Sequence, residues 1–207
     1  MTEQRVASDR RPPLYPAQGL ARLLQALAED DRRWFRYFTV FGGGLFVAAF
    51  VVWLWSVDWS GAIPRDGTGL AVGRDFLNFW MYGRAAASDA PGHFYDVTAY
   101  HQALRSLLGA EFSGQNWSYP PSIMLLAAPF GQLGYLVALV SWMAVTITIF
   151  LAAARHAVTD WRVLIPVMLS PAALFCVISG QSSFLIAGML IAIFAWLDRR
   201  PVAAGLL

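Results

Sequence analysis

Asp75 is the carboxylate best placed for chemistry in a polar, aromatic-rich stretch over residues 58–118, with Arg74 before it and Arg84 after it. A carboxylate near an apolar surface with cations in reach can act as a general base or bind a sugar hydroxyl. Arginines can hold a phosphate through forked hydrogen bonds. Asp75 could instead be the N-cap of a helix over residues 76–87, and residue chemistry alone favours the N-cap.

Other polar residues of this stretch could bind a substrate. Asn78 and Tyr82 stand four apart and would share one face of that helix, as a polar rim for a sugar or a lipid phosphate. His93, close to Tyr95 and Asp96, could help a phosphate leave, or it could be a hydrogen-bonded loop histidine. No paired His or Cys stands at metal-ligand spacing, so we expect no metal site and no cofactor, although assistance by a divalent metal stays open.

Two further motifs lie close to apolar runs. Trp117 and Tyr119 could stack on a sugar ring or pack on a prenyl chain, and interfacial anchoring would explain them equally well. Gln181, followed by Ser182 and Ser183, supplies donors and acceptors between two apolar runs. Gln and Ser are common in such turns, so this motif gains weight only together with the others.

The elements that position these residues belong to a membrane protein. The chain is 57% hydrophobic with nine Trp, its mean hydropathy is positive, and residues 37–57, 112–154 and 163–197 carry no charge. A spanning helix needs only about 20 apolar residues. We therefore predict an all-α, polytopic helical bundle in the cell membrane, without a nucleic-acid partner. Cys176 is the single cysteine, so no intrachain disulfide is possible.

Basic residues near the apolar runs predict the orientation of the chain. They form three clusters, namely Arg32, Arg33 and Arg36, then Arg155 and Arg162, and finally Arg199 and Arg200. Cytoplasmic loops are rich in Arg and Lys, so all three clusters and the N-terminus should be cytoplasmic. The chain must then cross an odd number of times between Ser118 and Arg155.

The element boundaries follow from that count. We predict an amphipathic cytoplasmic segment at 1–36, a first span at 37–57, an extracytoplasmic catalytic loop at 58–120 and a transmembrane bundle at 121–207. Within the bundle we expect a short outer-face helix at 121–130 and spans at 135–154, 163–178 and 183–197. This layout places Asp75, Tyr119 and Gln181 on the same outer face of the membrane.

The order of the motifs resembles glycosyltransferase family 87. The matching motifs are Arg74-Asp75-Phe76, Phe94-Tyr95-Asp96, Trp117-Ser118-Tyr119-Pro120-Pro121, Ser170-Pro171 and Gly180-Gln181-Ser182. The resemblance covers residues 75–207 and depends on the order and spacing of short motifs. The family comprises polytopic GT-C enzymes, including α-1,2-mannosyltransferases that use polyprenyl-phosphate-mannose.

The resemblance implies an inverting hexosyltransferase. It would move mannose or a related sugar from a polyprenyl-phosphate donor to a lipid or glycan acceptor at the outer membrane face, among membrane lipids. Asp75 matches the acidic residue that acts at the catalytic centre in the first extracytoplasmic loop of GT-C enzymes. Substrate binding is expected from a wider set: Arg74, Asn78, Tyr82, Arg84, His93, Trp117, Tyr119 and Gln181.

Members of the family are longer than this chain and have more spans. Residues 201–207 resemble the opening turns of another helix, so we expect the N-terminal half of a longer protein. The other half would supply further donor-site residues, and this piece alone could be inactive. The alternative is a non-catalytic membrane module or truncated remnant that binds a lipid or glycan. A transporter is disfavoured because the predicted spans contain no ionisable residue.

Overall fold

The described part of the chain is helical. The structure is a computed structural model, and it describes residues 32–109, 112, 115–116, 119–158, 160–198 and 200–207. The α-helices in this part are α1 (Arg32–Trp55), α2 (Arg74–Ala86), α3 (Val97–Leu108), α4 (Ile123–Gly131), α5 (Tyr135–Ala157), α6 (Leu164–Met168), α7 (Pro171–Ser179), α8 (Ser183–Trp196) and α9 (Pro201–Gly205). Within the same residues there is no strand, so the predicted all-α class is confirmed.

Two helices are long and apolar enough to cross a membrane, over Phe35–Trp55 in α1 and Tyr135–Ala157 in α5. A third crossing is available if the bent pair Trp161–Met168 and Pro171–Ser179 counts as one span. The predicted first span and the span after residue 134 therefore exist as helices of membrane length. The predicted amphipathic segment lies outside the described residues up to residue 31.

The predicted span at 163–178 is not one straight helix. The chain bends by 64° between Trp161–Met168 and Pro171–Ser179. Pro171 has no N–H to continue the preceding helix, and the Ser170 hydroxyl accepts a hydrogen bond from the Ala173 N–H at 3.2 Å as the N-cap of α7. The next helix, α8, has 14 residues and is shorter than a typical span.

The helix α2 is buried although it follows a polar loop. Its residues from Phe76 to Gly83 are buried side by side, and the Phe79 and Trp142 rings lie 4.1 Å apart between centroids. It crosses α4 at Gly83 and Gly131, where a Cβ on Gly83 would lie 2.2 Å from the Ala127 carbonyl oxygen. Only glycine allows the two backbones to approach this closely.

The loop before α2 and the helix after it fix α2 from outside. Antiparallel bridges join Arg65 to Asp58 and to Ala71, so the loop folds back on itself. Asp96 caps α3 by accepting from the N–H groups of Thr98 and Ala99. These backbone donors hold the pKa of the Asp96 carboxyl below its usual value. The α2 helix thus begins and ends in ordered loop structure.

Candidate functional site

Asp75 lies in the first turn of α2 and does not cap it. The N-cap is Gly73, in the left-handed conformation, and the helix begins at Arg74, two residues before the predicted start at 76. No side-chain cap bond forms there, so the N-cap interpretation of Asp75 was wrong. Within the described residues the Asp75 carboxylate has neither a hydrogen bond nor an ion pair to the protein. A helix N-terminus favours a negative charge in this position.

The Asp75 carboxylate lines a cavity of about 680 Å³. Its polar lining includes Asp75, Asn78, Gln115, Asn116, Tyr119, Gln181, Ser182 and Ser183. Its apolar lining includes Phe79, Ile123, Leu126, Trp142, Leu185 and Ile186. The cavity therefore brings together the three motifs that the sequence predicted to share one face, from α2, from the loop before α4 and from the turn before α8. A volume of this size is typical of small-molecule sites.

One wall of the cavity is held by hydrogen bonds from α2 and α3. The Asn78 side-chain amide donates to the Asn116 carbonyl at 2.8 Å, and the Tyr100 hydroxyl donates to the Asn78 side-chain oxygen. Burial raises the pKa of Tyr100 above its usual value, so this hydroxyl keeps its proton. Asn78 thus lines the cavity while its side-chain nitrogen and oxygen are each hydrogen-bonded within the protein.

Gln115 and Asn116 are site residues that the sequence reasoning missed. The Gln115 amide donates to the Arg74 carbonyl at 2.7 Å, while its Oε1 is buried with no hydrogen-bond partner in the described structure. His101 Nε2 lies 3.0 Å from the Gln115 carbonyl oxygen. Their signal was two adjacent carboxamides directly before Trp117. A buried acceptor without a partner is unusual, and a bound hydroxyl would satisfy it.

The buried Tyr82 side chain bonds to the backbone of Tyr119, in the loop before α4. Its hydroxyl donates to the Tyr119 carbonyl at 2.8 Å and accepts from the Tyr119 N–H at 2.6 Å. The Tyr95 hydroxyl donates to the same carbonyl at 3.3 Å. Tyr82 is fully buried and is absent from the cavity lining. Partial burial, and then the Asp75 charge, raise the pKa of the Tyr119 hydroxyl above its usual value.

Gln181 faces the cavity from the turn between α7 and α8. Its backbone N–H donates to the Cys176 carbonyl at 3.0 Å, so the turn is fixed to the end of α7. Its Oε1 accepts from the Ser183 hydroxyl at 3.0 Å and from the Cys176 thiol at 3.7 Å. With the oxygen occupied, the Nε2 donors have no protein partner in the described part of the chain. They are available to a ligand in the cavity.

Besides Tyr82, three predicted binding residues are absent from the cavity lining, namely Arg74, Arg84 and His93. The Arg74 guanidinium lies 5.4 Å from the Phe175 ring centroid, and that of Arg84 lies 4.8 Å from the Trp80 ring centroid. Both arginines thus rest on aromatic faces. His93 is exposed in a short 3-10 turn, His93–Tyr95. Trp117 lies outside the described residues. No group of His, Cys, Asp or Glu suited to a metal occurs in the part of the chain that the structure describes.

Comparison with known proteins found a family match in the second half of the chain. No curated protein and no solved structure matched it. The family model of glycosyltransferase family 87 matches residues 117–207, which confirms the family predicted from the motifs. The matched region supplies Tyr119 and Gln181 to the cavity, whereas Asp75 and Asn78 enter it from the preceding segment. Over residues 117–207 the chain is thus similar to glycosyltransferase family 87, a family of membrane glycosyltransferases.

Proposed function

We propose that the protein transfers a hexose, mannose in the first instance, from a polyprenyl-phosphate sugar to a hydroxyl of a lipid or glycan acceptor. The observation that carries the proposal is the Asp75 carboxylate, which has no partner among the described residues and lines the same cavity as Gln181 of the family region. A carboxylate that makes no bond within the protein is free to accept a hydrogen bond, and then a proton, from a substrate hydroxyl.

In the proposed reaction Asp75 accepts the proton of the acceptor hydroxyl. The acceptor oxygen forms a bond to the anomeric carbon, the bond between that carbon and the lipid phosphate oxygen breaks, and its electron pair leaves with the phosphate. Attack opposite to the leaving group inverts the anomeric configuration. The Gln181 Nε2 donors and the Gln115 Oε1 acceptor would hold sugar hydroxyls around the reacting carbon.

The apolar side of the cavity suits the lipid part of such substrates. Ile123 and Leu126 come from α4, and Leu185 and Ile186 come from α8, so this side lies between two apolar helices. Ile186 and Leu126 are also about half exposed. An isoprenoid chain would find apolar surface there and leave the polar side to the sugar. The proposal places the cavity at the outer face, with the N-terminus in the cytoplasm.

Asp75→Asn tests the proposal. The substitution keeps the size of the side chain but removes its basicity, so kcat should fall by about 10²–10⁴-fold. The assay measures transfer of radiolabelled mannose from polyprenyl phosphate to endogenous acceptors in membranes that contain the full-length protein. Asp89→Asn is the matched control, because Asp89 is an exposed loop carboxylate outside the cavity.

The two variants separate catalysis from expression and insertion. Loss of transfer with Asp75→Asn at an unchanged membrane level, together with normal transfer by Asp89→Asn, supports the proposed base. Transfer near the wild-type rate in Asp75→Asn would reject it. A wild-type protein that binds the donor without transferring sugar would instead indicate the non-catalytic membrane module.

A further inference from the structure

Two glycine corners meet at the edge of the cavity, and one of them, at Gly180, is part of the cavity lining. Gly73 precedes Arg74 and Asp75, and Gly180 precedes Gln181; both have left-handed backbone, with φ of 69° and 67°. The Gly73 N–H donates to the Ile178 carbonyl at 2.9 Å, so one corner is hydrogen-bonded to the end of α7. The chain positions that lead into the two proposed site residues are therefore in contact, although they are far apart in sequence.

The contact has no room for a side chain. A Cβ on Gly180 would lie 2.6 Å from the Phe76 Cβ and 3.3 Å from the Gly73 Cα. A Cβ on Gly73 would lie 2.8 Å from two methyl groups of Leu139. Ordinary van der Waals contact begins at 3.4 Å, so the Gly180 corner would have to move by about 0.8 Å. The Phe76 Cβ is fixed to the α2 backbone and cannot rotate away.

A third element fixes the Gly73 corner from the other side. The buried Tyr135 hydroxyl, at the start of α5, lies 2.6 Å from the Val72 carbonyl oxygen and 3.1 Å from that of Gly73. Leu139, one turn further along α5, fills the space against both glycines. The start of α2, the end of α7 and the start of α5 thus meet at one point.

We propose that Gly73 and Gly180 are positioning residues that set the Asp75 carboxylate against the Gln181 amide across the cavity. The proposal rests on the proposed function, since it assigns to the glycine contact the geometry that sugar transfer needs. A shift of about 1 Å between a base and a substrate-holding group can lower a rate by about 10²-fold. The two glycines would therefore control kcat through the relative placement of Asp75 and Gln181.

The test is Gly180→Ala in the full-length protein, with transfer rates divided by the amount of folded protein in the membrane. We expect kcat to fall by about tenfold or more with little change in the KM for the donor. Gly69→Ala is the matched control: Gly69 also has positive φ, 80°, but a Cβ there has nothing within 4 Å. The control carries the same backbone strain without the steric contact.

A double-mutant cycle separates positioning from a general loss of structure. If the Gly180 contact places Gln181, then Gln181→Ala should lower kcat in the wild-type background and add little in the Gly180→Ala background. Effects of the two substitutions that multiply independently would overturn the proposal.

Tyr135→Phe keeps the shape of the side chain and removes the hydroxyl, so it tests the same corner if Gly180→Ala does not fold. It should lower kcat several-fold, and an unchanged kcat would likewise overturn the proposal.

Failure of the inference can be told from failure of the proposed function. If Asp75→Asn abolishes transfer while Gly180→Ala and Tyr135→Phe both keep the wild-type kcat, the base stands and the positioning contact is rejected. If Asp75→Asn transfers sugar normally, the proposed base is rejected. The positioning role of the glycines is then rejected with it, because that role is defined by the placement of Asp75.

Discussion

Replacing Tyr82 with phenylalanine distinguishes two roles of its hydroxyl. From the sequence, Tyr82 is expected to bind substrate. In the structure this hydroxyl instead accepts a hydrogen bond from the Tyr119 N–H at 2.6 Å and donates one to the Tyr119 carbonyl at 2.8 Å. Tyr82 is fully buried, so the hydroxyl fixes the segment at residue 119 against α2 from inside the protein.

The expected cost follows from the groups that lose a partner. The Tyr119 carbonyl keeps the Tyr95 hydroxyl at 3.3 Å, whereas the Tyr119 N–H has no other hydrogen-bond partner among the described residues. Leaving one such donor without its partner costs about 1–3 kcal/mol. Because 1.4 kcal/mol is about tenfold in an equilibrium constant, Tyr82→Phe should open this segment about ten times more often.

Amide hydrogen exchange in detergent micelles measures that opening at Tyr119, and the transfer assay measures its consequence. We expect faster exchange near residue 119, a kcat lowered several-fold and an unchanged KM for the donor. Tyr95→Phe is the control, because its ring is half exposed and its bond to the same carbonyl is longer; it should change stability by less than about 0.5 kcal/mol. Unchanged exchange in Tyr82→Phe with a raised KM would refute the structural role and restore the substrate-binding role.

Two further outcomes test the packing and the orientation. Gly83→Ala should destabilise the protein although alanine is the better helix former, because its Cβ would meet the Ala127 carbonyl at 2.2 Å; Gly134→Ala, with nothing within 4 Å, should leave the unfolding midpoint nearly unchanged. Equal midpoints for the two variants would contradict the close crossing of α2 and α4. A topology reporter fused at His156 should read cytoplasmic and one near Gly92 extracytoplasmic, and the same side for both would refute the orientation.

The apolar pattern predicted helix boundaries correctly where they follow from the length of an uncharged stretch. The break after Gly131 and the helix that starts at Tyr135 were both predicted, because an uncharged stretch of that length cannot be one span. The bend at Ser170 and Pro171 was not predicted, because residues 163–178 were interpreted as one span. Hydropathy carries no information on a proline kink inside a uniformly apolar run, although the proline itself was visible.

The candidate site was predictable only in part, for a related reason. Orientation and span count placed Asp75, Tyr119 and Gln181 on one face, and the cavity contains all three. The same reasoning could not show that Arg84 rests on Trp80 or that Tyr82 bonds to a backbone. Those outcomes depend on the close crossing of α2 and α4, a tertiary contact that no local pattern encodes.

The distribution of hydrogen bonds argues that the cavity is built for a ligand. Part of the polar cavity wall is paired within the protein: Tyr100 donates to Asn78, and Asn78 donates to the Asn116 carbonyl. Within the cavity, by contrast, the Asp75 carboxylate and the Gln115 Oε1 have no protein partner in the described structure. An unpaired buried acceptor such as Gln115 Oε1 is costly for folding, so folding alone gives no reason to keep it. Hydroxyl groups of the proposed sugar substrate would pair both acceptors, which supports the proposed function.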